Sequence, residues 1–372
     1  MSRIWKVFMR RQKDKPPVYI PDCTSLELRI HVLGYYPRGE SILVVLYDTM
    51  RKCVLQSILI DCYEVNNVNR FEKLLDEYNL HKNKLTYFIW THPDEDHSVG
   101  IPGIIKKYVD KKSLIFIPCG LNRDCLNLKR LSLKSIWSHL SSFTPLIKSF
   151  VAVMKCSRMR PSIVDMATAS SNSILPDMYG EIYKDGYEKT CDFLIEFLTP
   201  IKNKVFTKTI TNTSFLKNDI SISFNLKFGN KIFFFGGDAE DESLKEIKPN
   251  RWENTVFVKI PHHGSTTSQL LPTFYNDALA RSGKNTPMIT AVTTSFENYA
   301  NIHLPEKTVL DKYKSSARGI YVTKNKGTQI NNYGIWTFVY GYNKGVLSSI
   351  SSEGDKEVYY ENLIKPGRKK NP

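Results

Sequence analysis

Nowhere in the 372 residues does an apolar run approach the roughly 20 residues needed to cross a bilayer. The longest, such as Ile42 to Tyr47 and Ile232 to Phe235, have the length of strands, so no membrane span is expected. Cysteine is sparse and unpaired in pattern: the seven residues are scattered, odd in number and without a Cys-x-x-Cys pair. That excludes a disulfide framework and a cysteine zinc knuckle, and points to a reducing compartment. The opening Met1-Ser-Arg-Ile-Trp-Lys-Val-Phe-Met-Arg-Arg11 alternates basic and apolar residues too quickly for the ~7–15-residue apolar core of a secretory signal. A cytoplasmic location is the expectation.

Acidic residues are in deficit. Lys and Arg number 52 against 37 Asp and Glu, a net charge of +15, and such a field concentrates polyanions. The cations gather at 3–15, at 365–370, and in a third group from Arg123 to Arg160 that only Asp124 interrupts. A nucleic acid or other phosphodiester partner is one reading, and plain solubility charge is the other. The 41% hydrophobic and 24% charged content is that of an ordinary globular chain.

Leu26 to Leu33, Ser41 to Tyr47 and Val54 to Asp61 are β-branched and aliphatic runs separated by turn residues, and predict an opening meander. Helical spacing of apolar residues follows in 66–78, then a buried strand over Leu85 to Trp90. Residues 120–190 are basic, Ser-rich and without clean periodicity, and are read as an insertion. A hairpin across Gly229-Asn230 is predicted to join 221–228 to 231–235, and a further strand covers Thr255 to Ile260. The expected organisation is a basic extension (1–25), a domain over 26–345, and a basic tail (346–372).

Histidine is rare, eight in all, yet five fall in three short polar clusters: His92 and His97, His262 and His263, and His303. In His92-Pro-Asp94-Glu-Asp96-His97, the four candidate ligands His92, Asp94, Asp96 and His97 crowd into six residues directly after a buried strand. A tight turn there can aim imidazoles and carboxylates at one spot, the donor set of a divalent-metal site. Asp238, after Gly236-Gly237, supplies another carboxylate at a strand end. Its glycines are expected to let a cation and its substrate approach the backbone.

Thr-His-Pro-Asp-Glu-Asp-His-Ser-Val-Gly100, Phe-Phe-Gly-Gly-Asp-Ala-Glu240 and Val-Lys-Ile-Pro-His-His-Gly-Ser265 resemble the metallo-β-lactamase fold, in particular the hydrolase domain of ComEC-type DNA-uptake proteins. The likeness runs over about residues 26 to 345 and fails across the basic insertion. It implies an α/β chain folded as an αββα sandwich, two mixed sheets flanked by helices. Carried over by position, His92 and Asp94 would bind a first divalent ion, Asp96, His97 and His263 a second, and Asp238 would bridge the two. The first site is short of one ligand. His139 is the only histidine in the interval where the family places it, in a helix-like segment without strand-end context.

The resemblance implies two divalent cations, Zn²⁺ or Mn²⁺ with Mg²⁺ also compatible, the oxygen-rich first site being weaker and favouring the harder ions. The implied activity is metal-dependent hydrolysis of a phosphodiester such as DNA or RNA by a metal-bridged hydroxide, with Asp96, Asp238 and His262 as the catalytic group. His262 meets the phosphoryl group or protonates the leaving oxygen, or else orients a neighbour. Lys259, Ser265 and His303 are candidate substrate contacts. Two alternatives stand beside this: hydrolysis of a small ester, cyclic nucleotide or lactone, and a non-catalytic subunit with a degenerate metal site.

Overall fold

The computed structural model describes residues 23–64, 70–83, 85–110, 113–119, 121, 145–159, 164–167, 172–174, 179–182, 188–191, 193–201, 217–281, 283, 289–298, 302–323, 333–342 and 347–362. His139, the cations from Arg123 to Lys134, and the basic residues at 3–15 and 365–370 lie outside these.

Strands β1 (Leu26–Tyr35), β2 (Glu40–Asp48) and β3 (Cys53–Ile60) form the expected antiparallel meander. To it β4 (Tyr87–Ile89), β5 (Leu114–Pro118) and β6 (Val164–Ala167) add in parallel. Their connections carry helices α1 (Arg70–Glu77), α2 (Leu80–Asn83), α3 (Ile101–Tyr108) and α4 (Pro145–Met159). Next come β7 (Asn172–Ile174), a small pair β8 (Tyr179–Ile182) and β9 (Glu188–Cys191), then β10 (Phe193–Phe197), β11 (Phe224–Phe228) and β12 (Lys231–Phe235). The second half continues with α5 (Asp241–Leu244), β13 (Thr255–Lys259), α6 (Leu271–Arg281), β14 (Ile289–Thr294), a short pair β15 (Phe296–Glu297) and β16 (His303–Leu304), and α7 (Lys307–Tyr313). It closes with β17 (Ala317–Thr323), β18 (Tyr333–Gly341), β19 (Leu347–Gly354) and β20 (Glu357–Glu361).

Among the described residues these make two eight-stranded mixed sheets, ordered β19-β18-β1-β2-β3-β4-β5-β6 and β20-β17-β14-β13-β12-β11-β10-β7. Period-two alternation decides which layer each side chain joins. On β2, Ile42, Val44 and Leu46 enter the cluster between the sheets, whereas Leu43 and Val45 face the helices; on β12, Phe233 and Phe235 point inward and Phe234 outward. Three buried clusters result. One joins sheet to sheet, one packs the first sheet on α1, α3 and α4, and one packs the second sheet on α5, α6 and α7. Three interfaces define four layers, the αββα sandwich. Aromatic rings dominate the central layer, with Phe224 and Phe235 stacked at 5.0 Å, and each fully buried ring is worth about 1.5–3 kcal/mol.

Parts of the 120–190 stretch join this framework. Helix α4 buries Phe150, Val151 and Val153, β6 forms the edge of the first sheet, and β7 that of the second. Within 346–372, β19 and β20 lie at the opposite edges, one on each sheet. No helix among the described residues is long and apolar enough to cross a membrane.

Candidate metal centre

Strands β3 and β4 run parallel, as do β12, β13 and β14. Carboxyl ends of parallel strands share an edge, so polar residues placed just past them meet although they are remote in sequence. Asp61 follows β3, Thr91 and His92 follow β4, Asp238 follows β12, His262 and His263 follow β13, and Thr294 ends β14. A 3-10 turn, Glu95–His97, adds Asp96 and His97. That turn is pinned: the Cys62 amide donates to the His97 carbonyl at 3.0 Å, and Trp90 Nε1 donates to Ser98 Oγ at 3.0 Å.

The donor atoms converge. His92 Nε2 lies 3.5 Å from Asp238 Oδ2 and 3.6 Å from Asp94 Oδ2. His97 Nε2 lies 3.5 Å from both Asp96 Oδ2 and Asp238 Oδ1, and 3.3 Å from His263 Nε2. His263 Nε2 is 3.2 Å from Asp96 Oδ2 and 3.9 Å from Asp238 Oδ2. Four ligands at roughly 2.0–2.1 Å around a tetrahedral ion sit about 3.3–3.4 Å from one another, close to these separations. Asp238 faces His92 with one oxygen and His97 with the other, the disposition a bridging carboxylate needs.

The opposite ring nitrogens are spoken for. Asp61 accepts from the Thr91 amide (2.7 Å), from Thr91 Oγ1 (2.6 Å) and from His97 Nδ1 (2.7 Å). Because a hydroxyl has one proton and Thr91 gives it to Asp61, its contact of 3.0 Å with His92 Nδ1 must be one in which the imidazole donates. His263 Nδ1 likewise donates to Thr294 Oγ1 at 2.7 Å, since that hydroxyl gives its proton to Glu40 Oε2 at 2.6 Å. In its neutral form each of the three imidazoles is thereby left with an Nε2 lone pair aimed at the common centre, the outer-sphere arrangement of metal-bound histidines. His92 Nε2 and Asp238 Oδ1 are buried and have no hydrogen-bond partner among the described residues. Two facing Nε2 lone pairs, of His97 and His263, repel unless a proton or cation lies between them. The residues fit divalent metal: Asp96, His97 and His263 are close enough to hold an ion, whereas Asp61, also close to His92 and His97, is taken up by the Thr91 and His97 Nδ1 hydrogen bonds.

Electrostatics point the same way. Burial works against the charged form of Asp238, but His97, His263 and His92 outweigh it and hold the carboxyl far below its ordinary range. Burial also opposes a charged His97, and Asp238, Asp96 and Asp61 overcome it, raising that imidazole well above its usual value. Protons on the imidazoles thus balance buried carboxylates, a charge that a divalent cation supplies equally.

The backbone at this edge is unusual. His262 and His263 have φ of 46° and 50°, a left-handed conformation that costs non-glycine residues of order 1–3 kcal/mol. It is held by the His262 amide on the Gly237 carbonyl (2.9 Å) and the Ser265 amide on the His262 carbonyl (2.8 Å). Gly237, at φ 51°, does not open space for a ligand as expected: a Cβ there would stand 2.6 Å from the Ile222 carbonyl oxygen and 2.7 Å from Ser221 Oγ, so protein fills the gap.

His262 turns away from the donor cluster. Its side chain is 22% exposed, with Nδ1 2.9 Å from Thr267 Oγ1 and 3.4 Å from Glu240 Oε1, and Nε2 3.5 Å from Asn218 Nδ2 and 4.0 Å from Asp238 Oδ2. Ser265 Oγ accepts from the Thr267 amide and caps the turn after the histidines. Lys259, expected as a phosphate contact, is instead wholly buried, 2.7 Å from Glu40. His303 is 66% exposed on β16 and pairs with Glu297 at 3.7 Å. Asp61, Thr91, Glu40 and Thr294 escaped the reading of the sequence. Asp61 carried the same signal as Asp238, an acid ending an apolar strand; the two threonines carried none.

No family model and no curated protein gives a significant match to this sequence. Among solved structures, the chain is similar to the metallo-β-lactamase fold protein YhfI from Bacillus subtilis, at 11% identity and a TM-score of 0.36, over 84% of this chain and 99% of that one. It is also similar to the metallo-β-lactamase SMB-1 bound to 2-mercaptoethanesulfonate, at 13% identity and a TM-score of 0.32, over 70% of this chain and 88% of that one. Both are likenesses of fold, and the chemistry follows from the donors described above.

Proposed function

We propose that this chain is a metal-dependent hydrolase of phosphodiesters, with nucleic acid as its substrate class. The observation that carries the reading is the convergence of three Nδ1-tethered imidazoles and the carboxylates of Asp96 and Asp238 on one centre, at ligand-to-ligand distances. His92, Asp94 and Asp238 would hold one ion, and Asp96, His97, His263 and Asp238 another. When bound, such ions supply Lewis acidity, lowering the pKa of water and neutralising charge on a phosphoryl oxygen.

The protein groups do the rest. Asp96 turns Oδ2 to His97 and His263, so Oδ1 is the atom suited to take the proton of an attacking water. His262, partly exposed and steadied by Thr267, sits where it can contact a non-bridging phosphoryl oxygen or give a proton from Nε2 to the leaving oxygen. Asn218, whose Nδ2 donates to Glu240 Oε1 at 3.1 Å, lies beside that Nε2 at 3.5 Å. The net charge of +15 and the motifs that resemble a DNA-uptake hydrolase domain support a polyanionic substrate.

The test is incubation of the protein with Mn²⁺, Zn²⁺ or Mg²⁺ and single-stranded DNA, double-stranded DNA, RNA and a chromogenic phosphodiester, beside D96A and H97A controls. Metal-dependent cleavage of polynucleotide that both substitutions abolish is expected, with affinity falling steeply as salt rises because counterions are released on binding. Cleavage that persists in both controls, or a substrate affinity indifferent to salt, overturns the assignment.

A further inference from the structure

We propose that Glu40, Lys259 and Thr294 are positioning residues for His263, so that the Asp96-His97-His263 donor group assembles only while a buried ion pair outside it is intact. The proposal rests on the metal-binding reading above, and its test separates the two. Glu40 opens β2 of the first sheet and Lys259 ends β13 of the second, so the pair spans the sandwich. Their side chains are 1% and 0% exposed, with Lys259 Nζ 2.7 Å from Glu40 Oε2 and 3.1 Å from the Ile260 carbonyl oxygen. The same Oε2 accepts from Thr294 Oγ1 at 2.6 Å, and Thr294 Oγ1 accepts from His263 Nδ1 at 2.7 Å.

Each link constrains the next. An ammonium can only donate, so Glu40 meets Lys259 as an acceptor, and a carboxylate acceptor takes the Thr294 proton. The hydroxyl, its proton committed, can only accept from His263, which places the imidazole proton on Nδ1 and the lone pair on Nε2. A lone threonine hydroxyl would be free to rotate and to donate to the imidazole, giving the tautomer that cannot ligate through Nε2. Two apolar side chains would fill the space between the sheets as well as an ion pair does, and buried ion pairs contribute little net stability. What Glu40 adds is direction. His263 needs it because its left-handed backbone (φ 50°) lies outside the regular strand; away from the donor atoms that face its Nε2, the ring also stacks on Phe296 at 5.3 Å.

Three variants test this: T294V, which keeps shape and loses the hydroxyl; T294S, which restores it; and E40L/K259M, which removes both charges together. Mn²⁺ and Zn²⁺ affinities are measured by calorimetry, the position of the His263 proton by ¹⁵N NMR of metal-free protein, and folding by thermal melting. T294V is expected to bind one ion about 10–100-fold more weakly, the usual cost of losing an outer-sphere partner, with the His263 proton redistributed towards Nε2. T294S should restore both properties. E40L/K259M should melt near the wild type yet lose affinity as T294V does. Should the double replacement fail to fold, the Thr294 variants decide alone, because they leave the ion pair in place. Wild-type affinity in T294V with the proton still on Nδ1 overturns the proposal. A wild-type protein that takes up no cation sinks the metal reading instead, and the relay then stands or falls on the ¹⁵N result.

Discussion

His97 donates through Nδ1 to Asp61 Oδ2 across 2.7 Å, with both side chains completely buried. Asp61 is thus the shared anchor of two imidazoles, holding His97 directly and His92 through the Thr91 hydroxyl. D61N keeps an oxygen for the Thr91 amide but has too few acceptors for the hydroxyl and the imidazole together. The expected result is divalent-metal affinity lower by about 10–100-fold or more, since two ligands lose orientation at once. Calorimetric titration with Zn²⁺ and Mn²⁺ measures it, and unchanged affinity would remove Asp61 from the site.

The two adjacent histidines have separable duties. H263Q should cost one bound ion and nearly all activity. H262Q should keep the full metal content while kcat falls by about 10²–10⁴-fold, the range for loss of a general acid. Metal analysis of the purified variants beside steady-state kinetics distinguishes them; equal metal loss in both would mean that His262 is a ligand.

Far from this edge, His31 bridges Thr337 Oγ1 (2.9 Å) and Tyr78 OH (2.8 Å) inside the first sheet. Burial, with Arg29 and Arg70 adding to it, pushes its pKa down to about 3. The unfolded chain takes up a proton near pH 6.5 and the native state does not, so stability is complete above that pH and declines as pH falls towards 3. The slope from this group approaches about 1.4 kcal/mol per pH unit. Denaturant melts between about pH 5 and 6.5 should show that decline in the wild type and a flatter profile in H31Q; parallel profiles would contradict it.

Gly237 offers a backbone test. Its φ of 51° and the 2.6 Å separation between the Ile222 carbonyl oxygen and any Cβ placed on it leave no room for alanine. G237A should destabilise by more than about 1 kcal/mol and displace Asp238, lowering metal affinity as well. Thermal melts and metal titration of that variant report on both.

Much of the sandwich is legible in the sequence because its strands are continuous apolar runs bounded by turn residues. The predicted opening meander is recovered as β1 to β3, and the strand expected over 255–260 overshoots β13 by one residue. Strand-end clustering of His and Asp likewise marks side chains that the fold brings together, since chemistry of this kind needs those residue types just past buried strands. What sequence patterns did not reveal depends on distance along the chain. Glu40 and Lys259 are 219 positions apart, and each alone resembles a solvated charge at a strand end; only the closing of one sheet on the other makes them a pair. Strand β19, Leu-Ser-Ser-Ile-Ser-Ser-Glu-Gly354, was equally opaque, because a half-exposed edge strand carries little apolar alternation.

The last two of the described strands make the segment 347–361 a clasp. With β19 hydrogen-bonded to β18 and β20 to β17, fifteen residues of chain fasten both layers at one flank. A shortened version ending before Leu347 would bare two ribbons of unsatisfied amides and carbonyls side by side, an adhesive surface inviting copies to zip together. Trimming this region to aid crystallisation or expression should therefore yield aggregates.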